Sequence, residues 1–362
     1  MKVAWSCPVP HGAKSGGPFS VLNQIHSGLE EQYKDNLTII SGEGMPYEAA
    51  KTLAGGSLFD ELASFELPLD CDLFVGVGYD SLLQIRELKD KGRIRLHEDT
   101  RLGLRIPKVV TVHMSTHHEN AYRVLKDEYL KWGIKEEPLP PLLRWRGHKE
   151  HELVDGIIVA SQQQKETYEA GNPRLKDKIH VVPWGVDGSI FSPHDGTPVD
   201  GLRLLYAGGN APRKGVGYLL TAWNNAKLKG MLTLLGTNIR ASIWRTQILG
   251  WVKDEDVPGI YKMHSVYVLP SLEVGSACTV YEAMSTGLPC IITRECGIDF
   301  FKDNVHGLIV PARDTKALQD AIQYFSDNPD EIVRMGKNAR ETVSGYTWAR
   351  FRENLIKELE AI

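Results

Sequence analysis

Short runs of apolar residues alternate with longer segments of helical spacing, and this alternation limits the possible folds more than any other feature of the chain. Six such runs lie in residues 1–185: KVAWSC, NLTIIS, DLFVGVG, KVVTVH, DGIIVAS and IHVVPWG. Apolar runs without polar alternation are typical of parallel strands buried on both faces of a sheet. Strands that alternate with helices therefore predict an α/β fold with a doubly wound sheet.

The same pattern starts again near residue 201, which predicts a second α/β domain. The later runs are GLRLLYAGG, MLTLLGT, VYVLPS, LPCIIT and HGLIVP. The stretch between the two sets, residues 185–201, is rich in Gly, Pro, Asp and Ser, which favour linkers and turns. We therefore expect domains at residues 1–192 and 200–345, and a C-terminal helix at about 346–362 that could pack back on the first domain.

Composition narrows the class of protein. A chain of 362 residues with 42% hydrophobic content can bury two cores, and a formal charge of −4 provides no global attraction to nucleic acid or acidic lipid. Five scattered cysteines without a C-x-x-C pair favour a reducing compartment. The apolar start is too short for a signal peptide, and no apolar stretch is long enough to span a membrane. We expect a cytoplasmic protein, at most peripheral to the inner face of a membrane.

Two glycine-rich turns follow candidate strands and precede helices. The first, HGAKSGGPFS, places Gly16 and Gly17 before a helix, where a backbone could approach an anion closely. The second, LLYAGGNAPRKGVGY, adds Arg213 and Lys214 just before its helix, which suits a phosphate. It is not a Walker P-loop, because Gly215 stands where Ser or Thr is needed. A plain tight turn and a pair of solvated cations are the alternative interpretations.

A third turn lies in the stretch PSLEVGSACTVYEAMSTGLP, residues 270–289. Its small residues would let a phosphate approach the N–H groups at a helix start, and Gly287 is placed to end that helix. Glu282, in the first turns of the helix, could then accept hydrogen bonds from sugar hydroxyls. The alternative for Glu282 is a simple interaction with the helix dipole.

Four segments in order resemble the landmarks of the family 4, GT-B type, retaining glycosyltransferases. They are VVPWGVDGSIFSP, YAGGNAPRKGVGYLLTAW, the long stretch from LGWVKDED to LPCIIT, and NVHGLIVPARDTKALQDAI. The resemblance implies two Rossmann-like domains facing across a cleft. It also implies transfer of a sugar, with retention of anomeric configuration, from a nucleotide-diphosphate donor, most often a UDP- or GDP-sugar. No cofactor and no divalent metal is obligatory in such enzymes.

The resemblance assigns roles to residues of the second domain. Arg213 and Lys214 would clamp the diphosphate, Glu282 would bind the ribose, and the backbone at Val252 and Lys253 would read the base. Backbone N–H groups would add phosphate or sugar contacts at three successive positions, Cys278, Thr279 and Val280. From the first domain, the resemblance brings Gly17 to the diphosphate and His113 to the transferred sugar.

Two positions depart from the family pattern. The family has seven residues between its two glutamates, and counting back from Glu282 in this way leads to Val274. Glu273 is therefore one position early. Either a loop adjustment returns Glu273 to the donor sugar, or backbone N–H groups of Gly275 and Ser276 replace it. The family also often has arginine in a G-R-L turn where this chain has Gly-Gly-Asn at 208–210, and Arg213 could supply the missing cation.

Several other patterns carry weaker signals. The D-x-D at residues 70–72 precedes a strand without a phosphate turn, so we do not expect a metal there. His148 and His151 share a helix face without a convincing third ligand, which favours a solvated surface, and His117 and His118 are either acceptor contacts or an ordinary polar loop. No metal site is therefore predicted.

The acceptor is left open by the sequence. Residues 86–108 contain eight Lys or Arg against four Asp or Glu, and residues 142–149 add cations beside Trp145. Such charge would suit a nucleic acid or an anionic lipid surface, although charge runs are usually solvated. A glycan, a lipid-linked glycan or a small molecule is equally compatible.

Two functions other than sugar transfer stay open. The displaced Glu273 is compatible with a non-catalytic GT-B homologue that serves as a binding or scaffold subunit. A GT-B sugar-nucleotide epimerase would act on the donor without an acceptor.

Overall fold

The computed structural model describes residues 1–7, 16–41, 71–78, 85, 107–193, 201–209, 212–239 and 243–362. Its first sheet has six parallel strands: β1 (Val3–Cys7), β2 (Leu37–Ser41), β3 (Leu73–Val77), β4 (Lys108–Val112), β5 (Gly156–Val159) and β6 (Ile179–Val181). The helices described in this half of the chain are α1 (Gly16–Tyr33), α2 (His118–Lys131), α3 (Pro141–Leu153) and α4 (Gln162–Gly171). The strand order is β2-β1-β3-β4-β5-β6, so the direction of winding reverses between β1 and β3.

The second sheet also has six parallel strands: β7 (Arg203–Ala207), β8 (Met231–Leu235), β9 (Thr246–Gly250), β10 (Val266–Leu269), β11 (Cys290–Ile292) and β12 (Gly307–Ile309). The helices described here are α5 (Val216–Ala226), α6 (Val257–Lys262), α7 (Cys278–Ser285), α8 (Thr315–Asp327), α9 (Pro329–Val343) and α10 (Trp348–Ala361). The order β12-β11-β10-β7-β8-β9 reverses between β7 and β10. Counted from β7, this is the 3-2-1-4-5-6 order of a Rossmann sheet.

Apolar strand sequences explain why both sheets are covered on two faces. In β5 the side chains of Ile157, Ile158 and Val159 are all fully buried, and β10 is equally buried along its length. Strands of this kind require a layer of helices on each side. The α/β fold with two Rossmann-like halves that the sequence predicts is confirmed.

The chain crosses between the two halves at two adjacent places. Val186 pairs with Thr347 in an isolated bridge, and a Cβ on Gly185 would lie 2.4 Å from the Thr347 carbonyl carbon. After this crossing, α10 lies on α1 of the first half. Its Arg352 side chain packs against Gly28 of α1, while Trp184 and Phe351 stack edge to face with centroids 5.4 Å apart.

Some sequence predictions fall outside the described residues. These are residues 86–106 of the basic segment, Asp70 and Asn210. Among the residues that the structure describes, no helix combines the length and apolar character needed to cross a bilayer.

Candidate functional site

Two loops from neighbouring strands meet where the second sheet reverses its order. Strand β7 ends at Ala207 and leads into a 3₁₀ turn at Pro212–Lys214, and β10 ends at Leu269 and leads into residues 270–277 and α7. In open parallel sheets, ligands bind outside the carboxyl ends of the strands at such a reversal. The fold therefore brings the second and third glycine-rich turns of the sequence to one place.

Backbone contacts hold these two loops together. The Arg213 carbonyl accepts hydrogen bonds from the N–H groups of Leu272, at 2.7 Å, and Glu273, at 3.3 Å. Gly215 has a φ of +68°, and a Cβ added there would lie 1.9 Å from the Pro270 carbonyl oxygen. Glycine is needed at this position for its left-handed backbone and for the close approach of the two loops.

Arg213 and Lys214 place two cations at the junction. The Arg213 side chain is 36% exposed, and Lys214 is half-buried. Burial, and next the neighbouring Arg213 guanidinium, lower the pKa of Lys214 to about 8. A bound diphosphate would offset both effects, so the pair is suited to an anion.

Glu273 lies beside these cations despite its displaced position in the sequence. Its carboxylate is 2% exposed, and its Oε2 lies 3.3 Å from Nη1 of Arg213. Its Oε1 accepts hydrogen bonds from Thr116, from the backbone N–H at 3.1 Å and from the hydroxyl at 2.8 Å. Glu273 thus joins the phosphate-side turn to the loop that follows β4 in the first half of the chain.

Gly275 and Ser276 continue this contact between the halves. The Gly275 carbonyl accepts a hydrogen bond from the Ser161 hydroxyl at 2.7 Å, and a Cβ on Gly275 would lie 2.6 Å from the Met114 carbonyl oxygen. Ser276 is buried, with its hydroxyl 3.3 Å from that of Tyr281. The small residues in this stretch therefore permit close packing of the two halves.

Helix α7 starts directly after this loop. Cys278 is its first residue. Burial raises the pKa of the Cys278 thiol to about 12, and the nearby charge of Lys214 opposes this rise. The Thr279 hydroxyl accepts a hydrogen bond from Tyr267 at 2.7 Å, and the Val280 N–H bonds to the Ala277 carbonyl. The positive end of the helix dipole thus lies on the same side as the two cations.

Glu282 lies one turn further along α7. Its Oε2 accepts a hydrogen bond from the Tyr261 hydroxyl at 2.8 Å. Burial raises the pKa of Glu282 to about 7; the Tyr261 hydrogen bond opposes the shift and the Asp254 charge adds to it. Asp254 directly follows Val252 and Lys253, so the segment proposed to read the base is close to the carboxylate proposed to bind the ribose.

His113 and Gly17 come from the first half of the chain. Gly17 is in the first turn of α1, which follows β1 at the reversal of the first sheet. The His113 ring is 3% exposed, with Nε2 3.0 Å from both Glu150 Oε1 and Thr111 Oγ1. The ring is therefore directed at α3 inside the first half, and the structure does not place it against Arg213 or Lys214.

Several residues that the sequence did not single out complete the contact between the halves. Buried Glu128 of α2 accepts hydrogen bonds from the Tyr218 hydroxyl at 3.0 Å and from Arg313 Nε at 2.6 Å. Together with Thr116, these residues lie far apart in the chain and belong to no local motif. No sequence signal short of a known fold would have found them.

One sequence prediction is wrong. The helix face that carries His148 and His151 is not simply solvated, because His151 is 2% exposed. Only His148 of the pair is exposed, and its Nε2 lies 3.2 Å from Glu119 Oε1. The helix packs its His151 side against the start of α2.

Residues 201–328 match the family model described as glycosyl transferases group 1. This span contains the two loops, both cations and both glutamates of the site. This segment of the chain is similar to the group 1 glycosyltransferases. Two solved structures are similar to this protein over nearly its whole length. Sucrose-phosphate synthase from Thermosynechococcus elongatus has a TM-score of 0.72 at 20% identity over 99% of each chain. Anabaena HepE with UDP-glucose has a TM-score of 0.69 at 14% identity over 100% of each chain. These likenesses show the GT-B fold.

Curated relatives match this chain over only part of their own length. The MMP alpha-(1->4)-mannosyltransferase of Mycolicibacterium hassiacum is 26% identical over 67% of this chain and 62% of its own. The D-inositol 3-phosphate glycosyltransferase of Corynebacterium kroppenstedtii is 23% identical over 69% of this chain and 61% of its own. The chain thus spans less than two thirds of the length of these two relatives.

Proposed function

We propose that the protein transfers a sugar from a nucleotide-diphosphate sugar to an acceptor hydroxyl, with retention of anomeric configuration. The observation that carries this proposal is the meeting of Arg213, Lys214 and the start of α7 at the reversal of the second sheet, with Glu282 one helical turn away. The cations and the helix start suit a diphosphate, and the carboxylate suits the ribose hydroxyls that adjoin it. The match of residues 201–328 to the family model described as glycosyl transferases group 1 supports the same interpretation.

The chemistry follows from where negative charge develops. When the bond between the sugar and the diphosphate breaks, charge accumulates on the leaving phosphate. Arg213, Lys214 and the dipole of α7 would stabilise that charge without reorganising, which is the most effective form of electrostatic catalysis. A leaving phosphate on the acceptor's side of the sugar could also take up the acceptor proton. The proposal therefore needs neither a carboxylate nucleophile nor a divalent metal at the diphosphate.

The donor sugar would lie between the diphosphate and the other half of the chain. Glu273 is already held beside Arg213, so its carboxylate could bind sugar hydroxyls in exchange for the Thr116 hydrogen bonds. The backbone N–H groups of Gly275 and Ser276 lie in the same loop. Gly17, at the start of α1, would approach the diphosphate from the opposite side. We propose that the halves adjust around the donor at the crossing near Val186.

The donor and acceptor are proposed from chemistry and from the relatives. Because HepE is similar in fold and was solved with UDP-glucose, we propose a UDP-sugar first and a GDP-sugar second. One relative named above is a D-inositol 3-phosphate glycosyltransferase and another is an alpha-(1->4)-mannosyltransferase, so we propose a hydroxyl of a polyol or glycan as the acceptor.

The first experiment is titration calorimetry of the purified protein with UDP, GDP and ADP. We expect one of them to bind. Glu282→Gln should lower the affinity for that nucleotide about tenfold, because a neutral amide accepts hydrogen bonds from the ribose less strongly than a carboxylate does. Glu341→Gln is the matched control, since Glu341 is 65% exposed on α9. Equal binding by Glu282→Gln and wild type would contradict the ribose assignment.

The second experiment separates the possible activities. The sugar conjugate of the bound nucleotide is incubated with and without a panel of polyol and glycan acceptors, and products are identified by NMR. Transfer to an acceptor with unchanged anomeric configuration supports the proposal. Conversion of the donor without an acceptor would indicate an epimerase, and binding without any turnover would indicate a scaffold subunit.

A further inference from the structure

Histidine side chains converge between the start of α2 and the end of α3. One ligand atom from each of His117, His118 and His151 lies within 4.8 Å of the others, and all three side chains are buried. A second, overlapping group consists of His118, Glu119 and His148. The rings are in close contact, with centroids 4.1 Å apart for His117 and His118 and 4.4 Å apart for His118 and His148.

The interior position of these histidines disfavours the charged form of their rings. Burial, and next the neighbouring histidines, lower the pKa of His117 to about 4, and the same two causes lower the pKa values of His118 and His151. A metal ion binds the neutral form of an imidazole ring.

His117 shows most directly where a ligand would bind. It caps α2 by accepting a hydrogen bond from the Glu119 N–H at its Nδ1, at 3.2 Å. Its Nε2 is buried and has no hydrogen-bond partner among the residues that the structure describes. Coordination through Nε2 would place the ring proton on Nδ1, so the capping bond would be exchanged for a metal bond.

We propose that His117, His118 and His151 bind a divalent transition-metal ion, with zinc as the preferred ion and His148 as the fourth ligand. Imidazole suits zinc, copper, iron and nickel, whereas magnesium and calcium require oxygen ligands. Four ligands close a tetrahedral zinc site, which is the arrangement of structural sites. Glu119, with its carboxylate 3.2 Å from His148 Nε2, would orient that ring from outside the coordination sphere.

The ion would fix the surface on which the two halves of the chain meet. Thr116, which holds Glu273, directly precedes His117, and α3 carries both His151 and the Glu150 carboxylate that contacts His113. A metal ion joining α2 to α3 would therefore hold the Thr116 loop in place. This role is structural, and it does not depend on the proposed transfer reaction.

The test uses the full chain without a polyhistidine tag. The protein is stripped with a chelator, dialysed and titrated with zinc against a competing chelator, and metal content is measured by mass spectrometry. We expect one zinc ion per chain and a higher Tm with zinc. His117→Asn keeps a side chain that caps helices well but removes a ligand, and His151→Gln removes another; each should lower zinc affinity at least about tenfold.

His264→Gln serves as the matched control, because His264 is a half-buried histidine of the second half, bonded to the Ile260 carbonyl. It should leave zinc affinity unchanged, and nucleotide binding by all variants should show that they are folded. If a variant does not fold, cobalt(II) in the wild-type protein provides the measurement, because a tetrahedral nitrogen site gives an intense visible spectrum. Absence of stoichiometric zinc in the wild type, or equal affinity in His151→Gln and His264→Gln, would overturn the proposal.

Discussion

The two sheets reverse their strand order in comparable ways but present different chemistry there. At the β7/β10 reversal the loops carry Arg213 and Lys214. Glu273 lies beside Arg213, and Glu282 lies one turn after the start of α7. Near the carboxyl end of β3 in the first sheet, a Cβ on Gly78 would lie 2.2 Å from the His113 ring, which is directed inward. Among the described residues, charge for a diphosphate is thus concentrated in the second half. A shared topology provides the position of a site, and the loop residues decide its chemistry.

The largest effect on this comparison is expected from Gly215→Ala. The new Cβ would require a left-handed backbone and would collide with the Pro270 carbonyl, so we expect a loss of about 3 kcal/mol or more in the free energy of unfolding. Gly133→Ala is the matched control: its φ is +67°, but no atom lies within 4 Å of the new Cβ. We expect only about 1 kcal/mol there. Chemical denaturation measures both, and equal losses would show that the loop contact contributes nothing.

The next effect is the loss of a cation in Lys214→Ala. A charge-assisted hydrogen bond contributes about 1.5 to 3 kcal/mol, so nucleotide-diphosphate affinity should fall roughly tenfold to a hundredfold. Lys316→Ala provides the control, because Lys316 is 73% exposed on α8. Calorimetry with the bound nucleotide measures the difference. Unchanged affinity in Lys214→Ala would contradict the proposal that the diphosphate binds at this turn.

Thr116→Val tests the contact that joins the two halves. Valine keeps the shape but leaves Glu273 with one hydrogen bond fewer in a buried position, which should cost about 1 to 3 kcal/mol of stability. Thr221→Val, which removes an exposed hydroxyl bonded to its own helix, should cost much less. Thermal unfolding of both variants would decide. If the two losses are equal, Glu273 does not depend on the first half for its position.

The smallest effect is a pH dependence that belongs to the second half alone. Lys214 has a pKa of about 8 in the free protein, and a bound diphosphate would raise it. The protonated form binds, so affinity should fall as the pH rises above about 8, by up to about tenfold per pH unit. Lys214→Arg should flatten the profile, because arginine stays charged. A wild-type profile flat from pH 7 to 9 would contradict the pKa shift.

Local sequence was sufficient for features that depend on neighbouring residues. The apolar runs of β5 and β10 could be recognised because a buried parallel strand needs little besides its own side chains. Arg213, Lys214 and Gly215 could be linked to a phosphate turn because they are adjacent. Glu273 was uncertain for the opposite reason, because a one-residue change in spacing gives no direction for a side chain in a loop. Its position is fixed by contacts with Arg213 and with Thr116, which is far away in the sequence.

The sequence by itself determined the two α/β halves, the glycine turns and the cations of the candidate site, because period and adjacency are properties of the chain. The tertiary structure alone decided that Glu273 meets Thr116, and that His151 meets His117 and His118 more than thirty positions earlier. Contacts of this kind depend on how helices and loops from distant positions cross in space. No local pattern of residues contains that information, since it arises only when both sheets are covered and the halves pack together.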